Sequence, residues 1–420
     1  MNTTIKQGSK LSGIISPPPS KSTGHRAIIC GALARGKSTI TNIGYSEDID
    51  ATIKAMRLFG AEIEQQGSTL VINGENTLKN VSGMAIDCNE SGSTLRFLIP
   101  LALHCDSVTY TGRDGLAARP LTTYYKLFDK WGIEYTNTDG KLPLTVKGGK
   151  ADSEIYVEGN VSSQFISGLL FALPLADGEY TIHITSTMES KGYIDLTLQM
   201  LEKFGIEIIN NNYESFYIKG NQQYKPCDYV CESDFSQAAF YLVAGTIGND
   251  LICTGLDLDS KQGDKEIVDI INKMGGKIVE EKNGLRPTPA KTHGITIDAS
   301  QIPDLVPIIS LLGVFSEGDT RIVNAARLRI KESDRLNTTA TQLNALGADI
   351  EELEDGLIIH GTGGLKGGKA NGCNDHRIAM TLAIAATRTD EDVTIEDSGS
   401  VKKSYPHFWE DYKMLGGNII

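Results

Sequence analysis

Cysteine is scarce and odd in number: seven in 420 residues, with only Cys227 and Cys231 close together. No second close pair follows to complete a zinc site, and a scattered odd set does not read as a disulfide framework. The seven histidines include no HExxH or similar ligand pair, so no metal site is expected. Long apolar runs are missing too. The longest nearly apolar stretch, Phe165 to Ala176, has 12 residues, too few to span a bilayer. The opening MNTTIKQGSKLSGIISPPPS lacks a basic segment followed by an apolar one, so no signal peptide is expected. Reduced thiols in a cytoplasm are the plain reading. Positive charge is the minority, 40 Lys and Arg against 53 Asp and Glu for a net −13. That balance argues against broad nucleic-acid binding, although a cleft can hold its own positive field.

What remains is an ordinary globular composition, 40% hydrophobic and 22% charged, long enough for two or three domains. Glycine is plentiful, at 44 residues, and it punctuates a repeat. The pattern apolar–Gly–small or apolar–strand-like residue recurs at Gly60, Gly132, Gly205, Gly275, Gly347 and Gly416, with spacings of 72, 73, 70, 72 and 69. Six repeats of about 70 residues therefore fill the chain. Each glycine ends a segment with helical spacing of apolar residues, where a left-handed backbone stops the helix.

Each repeat also holds an earlier segment that is apolar nearly all round: HRAIICGALA, TLRFLIPLALH, QFISGLLFALPLA, SQAAFYLVAGTI, DLVPIISLLGVF and HRIAMTLAIAA. A helix without a polar face is a buried helix. The repeat then reads as buried helix, strand, exposed helix, strand, strand. The sixth repeat runs out at Ile420, and the strand-like IKQG and LSGIIS before Pro17-Pro18-Pro19 can complete it. An α/β chain of two lobes, three repeats each, follows: residues 1–17 with 227–420, and residues 18–226. An elongated solenoid is the alternative, but solenoid repeats are usually shorter.

Polar clusters open the buried helices: Ser20 to Arg26, Glu90 to Arg96, Ser162 to Gln164, Ser233 to Ser236, Pro303-Asp304 and Asn374 to Arg377. Ser, Asp and Asn there are first of all helix caps. Capping has no use for Lys21, Arg26, Arg96 or Arg377, and the helix dipole opposes a cation at that end. Cations there make sense around a bound anion. If all six starts face one cleft, it is strongly electropositive. Lys331 to Arg335 forms another charged run, and Arg119-Pro120 and Lys402 to Pro406 add basic turns. Gly31 to Ser38, GALARGKS, matches a nucleotide phosphate loop, but a buried helix precedes it and a strand follows, the reverse of the required order.

The stretches PPSKSTGHRA, ESGSTLRF, ARPL, SSQF, ESKGYIDLTL, IPDLVP, RIKESDRL, NDHRIAM and KKSYPHF together resemble the 5-enolpyruvylshikimate-3-phosphate synthase family over essentially the whole chain. The resemblance implies a two-lobed enolpyruvyl transferase-like α/β fold with an interlobe cleft. It also implies transfer of the enolpyruvyl group of phosphoenolpyruvate to the 5-hydroxyl of shikimate 3-phosphate, without metal or organic cofactor. By position, Lys21, Gly92, Arg119, Gln164, Arg335, Arg377 and Lys403 are implied for phosphoenolpyruvate. Lys21, Ser22, Arg26, Ser162, Ser163, Gln164, Ser190, Tyr193, Asp304 and Lys331 are implied for shikimate 3-phosphate. Asp304, Glu332 and Lys21 are the implied acid–base groups. Glu90 departs from the Asn common in the family, and Arg327 stands where some members carry a substrate-contacting Asn. The sister enzymes acting on UDP-N-acetylglucosamine usually carry a Cys where this chain has Asp114. A cytoplasmic monomer without nucleic-acid or membrane partners is the accompanying expectation.

Overall fold

The computed structural model describes every residue except Asn80 and Asn283, and only the backbone of Asp114. The chain divides into two compact units: a terminal unit, Met1–Pro18 with Glu232–Ile420, and an inserted unit, Pro19–Cys231. The return to the terminal unit thus comes after residue 231, not after the expected 226. The reason is local pairing: Tyr229–Val230 runs parallel to Lys37–Thr41, and the Cys231 N–H donates to Thr41 O.

Six sheets, one per repeat, are formed by the described residues. The second repeat shows the plan. Strand Met84–Asp87 leads into helix Gly92–Leu98, which returns the chain to Ser107–Thr111, parallel to the first strand. Helix Thr122–Trp131 follows, and then the antiparallel strands Tyr135–Thr138 and Lys141–Lys147. Parallel neighbours need a long crossover, and the buried helix supplies it.

The two amino-terminal strands part company, contrary to the expectation that both complete the sixth repeat. Thr3–Ile5 pairs with Val393–Glu396 of that repeat, but Ser12–Ile15 lies parallel to Asp250–Cys253 of the fourth. The strand that precedes the fourth buried helix in sequence, Tyr229–Val230, is already paired with Lys37–Thr41. Ser12–Ile15 fills the place it leaves.

The buried helices earn that description. Every residue of Val306–Val314 and of Phe235–Thr246 is buried. Each large aliphatic or aromatic side chain so covered contributes roughly 1.5–3 kcal/mol relative to exposure. The six repeat glycines all have positive φ, between 65° and 106°, the left-handed conformation that ends a helix at no steric cost to glycine. At Gly31 to Ser38 the order is helix Lys21–Leu33, turn, strand Lys37–Thr41. A phosphate loop needs the opposite order, so the nucleotide reading is set aside. No described helix is long and apolar enough to cross a membrane.

Candidate active site

Capping accounts for more of the polar helix starts than the sequence suggested. Ser20, Ser91, Ser162, Asp234 and Asp375 each accept a backbone N–H of the helix that follows. The fifth repeat differs: no side chain caps Pro303–Leu305 or Val306–Val314. Its carboxylate, Asp304, is turned to cations instead.

In the terminal unit these cations converge. Asp304 accepts from Arg335 Nη1 at 2.9 Å and from Arg377 Nη2 at 3.0 Å, and Lys331 Nζ lies 3.6 Å away. Burial alone would raise the Asp304 pKa, but Arg377, Lys331 and Arg335 together hold it well below the usual carboxylate range. Arg335, almost fully buried, also binds Asp375 through Nε at 2.9 Å and Nη2 at 3.2 Å, and lies 3.9 Å from Glu332. Asp375, Asp304 and Glu332 outweigh its burial and keep it charged. Glu332 Oε2 is 2.7 Å from His376 Nδ1. Lys331 is drawn down to about 8, chiefly by burial, with Asp304 opposing and Arg327, Arg335 and Arg377 reinforcing. Lys403 donates to Asn374 O at 2.6 Å, beside this group. Glu332, Asp375 and His376 could offer ligand atoms within 4.8 Å of one another. The Arg335 guanidinium already answers the charge of both carboxylates there.

The inserted unit gathers the other candidates. Lys21 Nζ pairs with Asp48 at 2.8 Å. Gly92 sits against Arg119 and Gln164: a Cβ at residue 92 would lie 2.7 Å from Arg119 Nη1 and 3.6 Å from Gln164 Oε1. Gln164 in turn accepts from Arg96 Nη1 at 2.9 Å and donates to Ser93 Oγ at 3.0 Å. Arg26 is buried and donates to Thr197 Oγ1, Ser22 O and Tyr193 O at 2.7, 2.7 and 2.8 Å. It therefore ties together the segments that carry two other candidates. Ser190 holds a left-handed backbone, φ 55°, at the start of helix Lys191–Lys203. Ser162 accepts the Gln164 N–H, which leaves its hydroxyl proton available to donate. Ser163 is buried at the first turn of the same helix.

Sequence reading passed over three participants. Asp48, a first-turn acid on a helix capped by Ser46, carries no sequence signal of its own; its pairing with Lys21 is not visible from a spacing of 27. Asp375 and His376 stood inside NDHRIAM, but Asp375 read as a cap and His376 was given no role. Arg327, left out of the site, donates to Ser300 O. The Asp114 side chain lies outside the described residues.

Six helix-crossover sheets, with clustered cations and paired carboxylates at the helix starts, define an enolpyruvyl transferase fold. A profile of the family "EPSP synthase (3-phosphoshikimate 1-carboxyvinyltransferase)" matches residues 5–412. The chain belongs to that family. It is 53% identical to 3-phosphoshikimate 1-carboxyvinyltransferase of Clostridium perfringens over 99% of each chain. Identity is 51% to the protein of that name from Clostridioides difficile, covering 98% of this chain and 97% of the other. Among solved structures, EPSP synthase from Acinetobacter baumannii superposes with a TM-score of 0.83 at 26% identity, covering 100% of this chain and 99% of that one.

Proposed function

We propose that this chain transfers the enolpyruvyl group of phosphoenolpyruvate to the 5-hydroxyl of shikimate 3-phosphate. The observation that carries the reading is Arg335. One buried guanidinium holds Asp304 at 2.9 Å and lies 3.9 Å from Glu332, so both acid–base candidates are fixed around a single cation. Family membership and the names of the relatives support it.

In the first step the 5-hydroxyl oxygen bonds to C2 of phosphoenolpyruvate, the hydroxyl proton leaves, and the methylene carbon takes up a proton. The tetrahedral intermediate then loses phosphate as the C–O bond breaks, and the methyl group returns a proton to restore the double bond. Glu332, paired with His376 at 2.7 Å, serves the methylene carbon. Asp304 serves the hydroxyl, with Lys21 assisting proton transfer. Three cations make Asp304 a weak base in the free protein. Ligand phosphate and carboxylate groups offset those cations and raise its proton affinity. Arg119, Arg335, Arg377, Lys403 and Lys21 match the two anionic groups of phosphoenolpyruvate, and the same cations stabilise the departing phosphate. Gly92 and Gln164 shape that end. Ser22, Ser162, Ser163, Ser190, Tyr193, Lys331 and Arg26 suit a hydroxylated ring with one phosphate.

The reading includes a monomer working in the cytoplasm; seven scattered cysteines, five of them buried, accord with a reducing compartment. The test is phosphate release on mixing the protein with phosphoenolpyruvate and shikimate 3-phosphate, without added metal or ATP. Release supports the proposal. No release, or release only with UDP-N-acetylglucosamine, overturns it.

A further inference from the structure

Beneath Lys21 and Gly92 runs a buried chain of small polar groups that the reaction itself does not use. His25 Nδ1 is 2.7 Å from Thr52 Oγ1, and Thr52 Oγ1 is 2.7 Å from Thr94 Oγ1. Thr94 Oγ1 donates to Ser91 Oγ at 2.7 Å, and the Thr94 N–H reaches the same oxygen at 3.1 Å. All four side chains belong to residues that are fully buried. The chain joins three helices, Lys21–Leu33, Glu47–Leu58 and Gly92–Leu98.

The proton order follows from valence. A hydroxyl has one proton to give. Thr94 spends its proton on Ser91, so it accepts from Thr52. Thr52 then accepts from the Nδ1–H of His25. The ring is thereby fixed in one neutral tautomer, and its Nε2 has no hydrogen-bond partner among the described residues. Burial, opposed by Asp48 and reinforced by Lys21 and Arg26, draws the His25 pKa to about 3, so this order holds at ordinary pH.

The Thr94–Ser91 end of the chain adjoins candidate ligand groups in two ways. Thr94 Oγ1 also lies 3.4 Å from the backbone oxygen of Asp48, whose carboxylate holds Lys21. Ser91 immediately precedes Gly92, whose Cα proton side faces Arg119 so closely that a methyl group there would meet Nη1 at 2.7 Å. A small shift of Ser91 is therefore a shift of the space between Gly92, Arg119 and Gln164. We propose that Thr52 and Thr94, oriented by His25, are positioning residues that set the Gly92–Arg119–Gln164 spacing and so tune phosphoenolpyruvate binding specifically. The proposal rests on the reading of those residues as the phosphoenolpyruvate end of the site.

The test compares Thr52→Val and Thr52→Ser in the whole protein by steady-state kinetics. Val keeps the shape and removes the hydroxyl; Ser keeps the hydroxyl. Sub-ångström misplacement of binding groups is costly, so Thr52→Val is expected to raise KM for phosphoenolpyruvate about tenfold while KM for shikimate 3-phosphate changes less than about twofold, with Thr52→Ser near wild type for both. Equal changes in both constants, no change in either, or a Ser variant that behaves like Val overturns the proposal. Should Thr52→Val not fold, Thr52→Cys weakens the same bond and is read by the same criterion. A wild-type protein that releases no phosphate from this substrate pair would instead overturn the functional reading, which keeps the two failures distinct.

Discussion

Arg335 grips Asp375 with two prongs, Nε on one carboxylate oxygen at 2.9 Å and Nη2 on the other at 3.2 Å. Its third nitrogen is committed to Asp304. A planar fork can satisfy these directions together, and an ammonium cannot. Arg335→Ala leaves the buried Asp375 carboxylate without its cation and takes one of three cations from Asp304, and is expected to cost about 3–5 kcal/mol of stability. Arg335→Lys keeps the charge and should still lower the melting temperature and turnover. A Lys variant that melts with wild type would show that the fork geometry is dispensable.

Gly92→Ala places a methyl group 2.7 Å from Arg119 Nη1. The far end of an arginine can move, so the fold should survive. The displaced guanidinium no longer meets its ligand well, and KM for phosphoenolpyruvate should rise about tenfold or more with little change for shikimate 3-phosphate. Steady-state kinetics with each substrate varied in turn checks this. An unchanged ratio of the two KM values would remove Arg119 from that end of the site.

Much of the fold was legible because one repeat is written six times. The glycine stops and the all-apolar helices read directly as left-handed backbone and buried helix. The strand exchange was not legible: Ser12–Ile15 and Tyr229–Val230 are both short and apolar, and nothing local says which sheet takes which. For the site, charged residues that have no capping role stood out, as Lys21, Arg26 and Arg377 did. The carboxylates that pair with Lys21 and Arg335 did not, because Asp48 and Asp375 also lie where ordinary helix starts place acids. A residue with a sufficient local explanation hides its long-range one.

Glu332→Gln keeps the size of the side chain and a hydrogen bond to His376, but removes the carboxyl proton. Turnover should fall by about 10²–10⁴, the usual scale for a general acid–base group. Binding of shikimate 3-phosphate, followed by calorimetry, should remain near wild type. A rate within a few-fold of wild type would move proton transfer to another group.

Lys331 sits at about 8 because burial disfavours its charged form more than Asp304 favours it. Below that pH it is charged and suited to a phosphate; above it the charge is lost. The kcat/KM for shikimate 3-phosphate reports groups of the free enzyme, and is expected to decline as pH rises through about 8. Lys331→Arg, which stays charged, should move that decline to higher pH. An identical alkaline limb in the variant would assign it to a different residue.

His25 makes the opposite kind of pH statement, about stability. Burial, the largest cause, lowers its pKa from 6.5 to about 3, with Asp48 opposing and Lys21 and Arg26 adding to the fall. Between those two values the unfolded chain binds a proton that the folded chain refuses. Stability therefore rises with pH across this window. The contribution of a neutral His25 is complete above 6.5 and is lost progressively as pH falls toward 3. Asn offers an amide donor in place of Nδ1–H and has no such titration. His25→Asn should thus flatten the dependence of unfolding free energy on pH between about 6 and 4, measured by urea unfolding against wild type. The carboxylates common to both proteins cancel in that comparison. Parallel curves would mean that the His25 ring takes up a proton equally in both states, and the fixed neutral tautomer at the head of the Thr52–Thr94–Ser91 chain would fall with it.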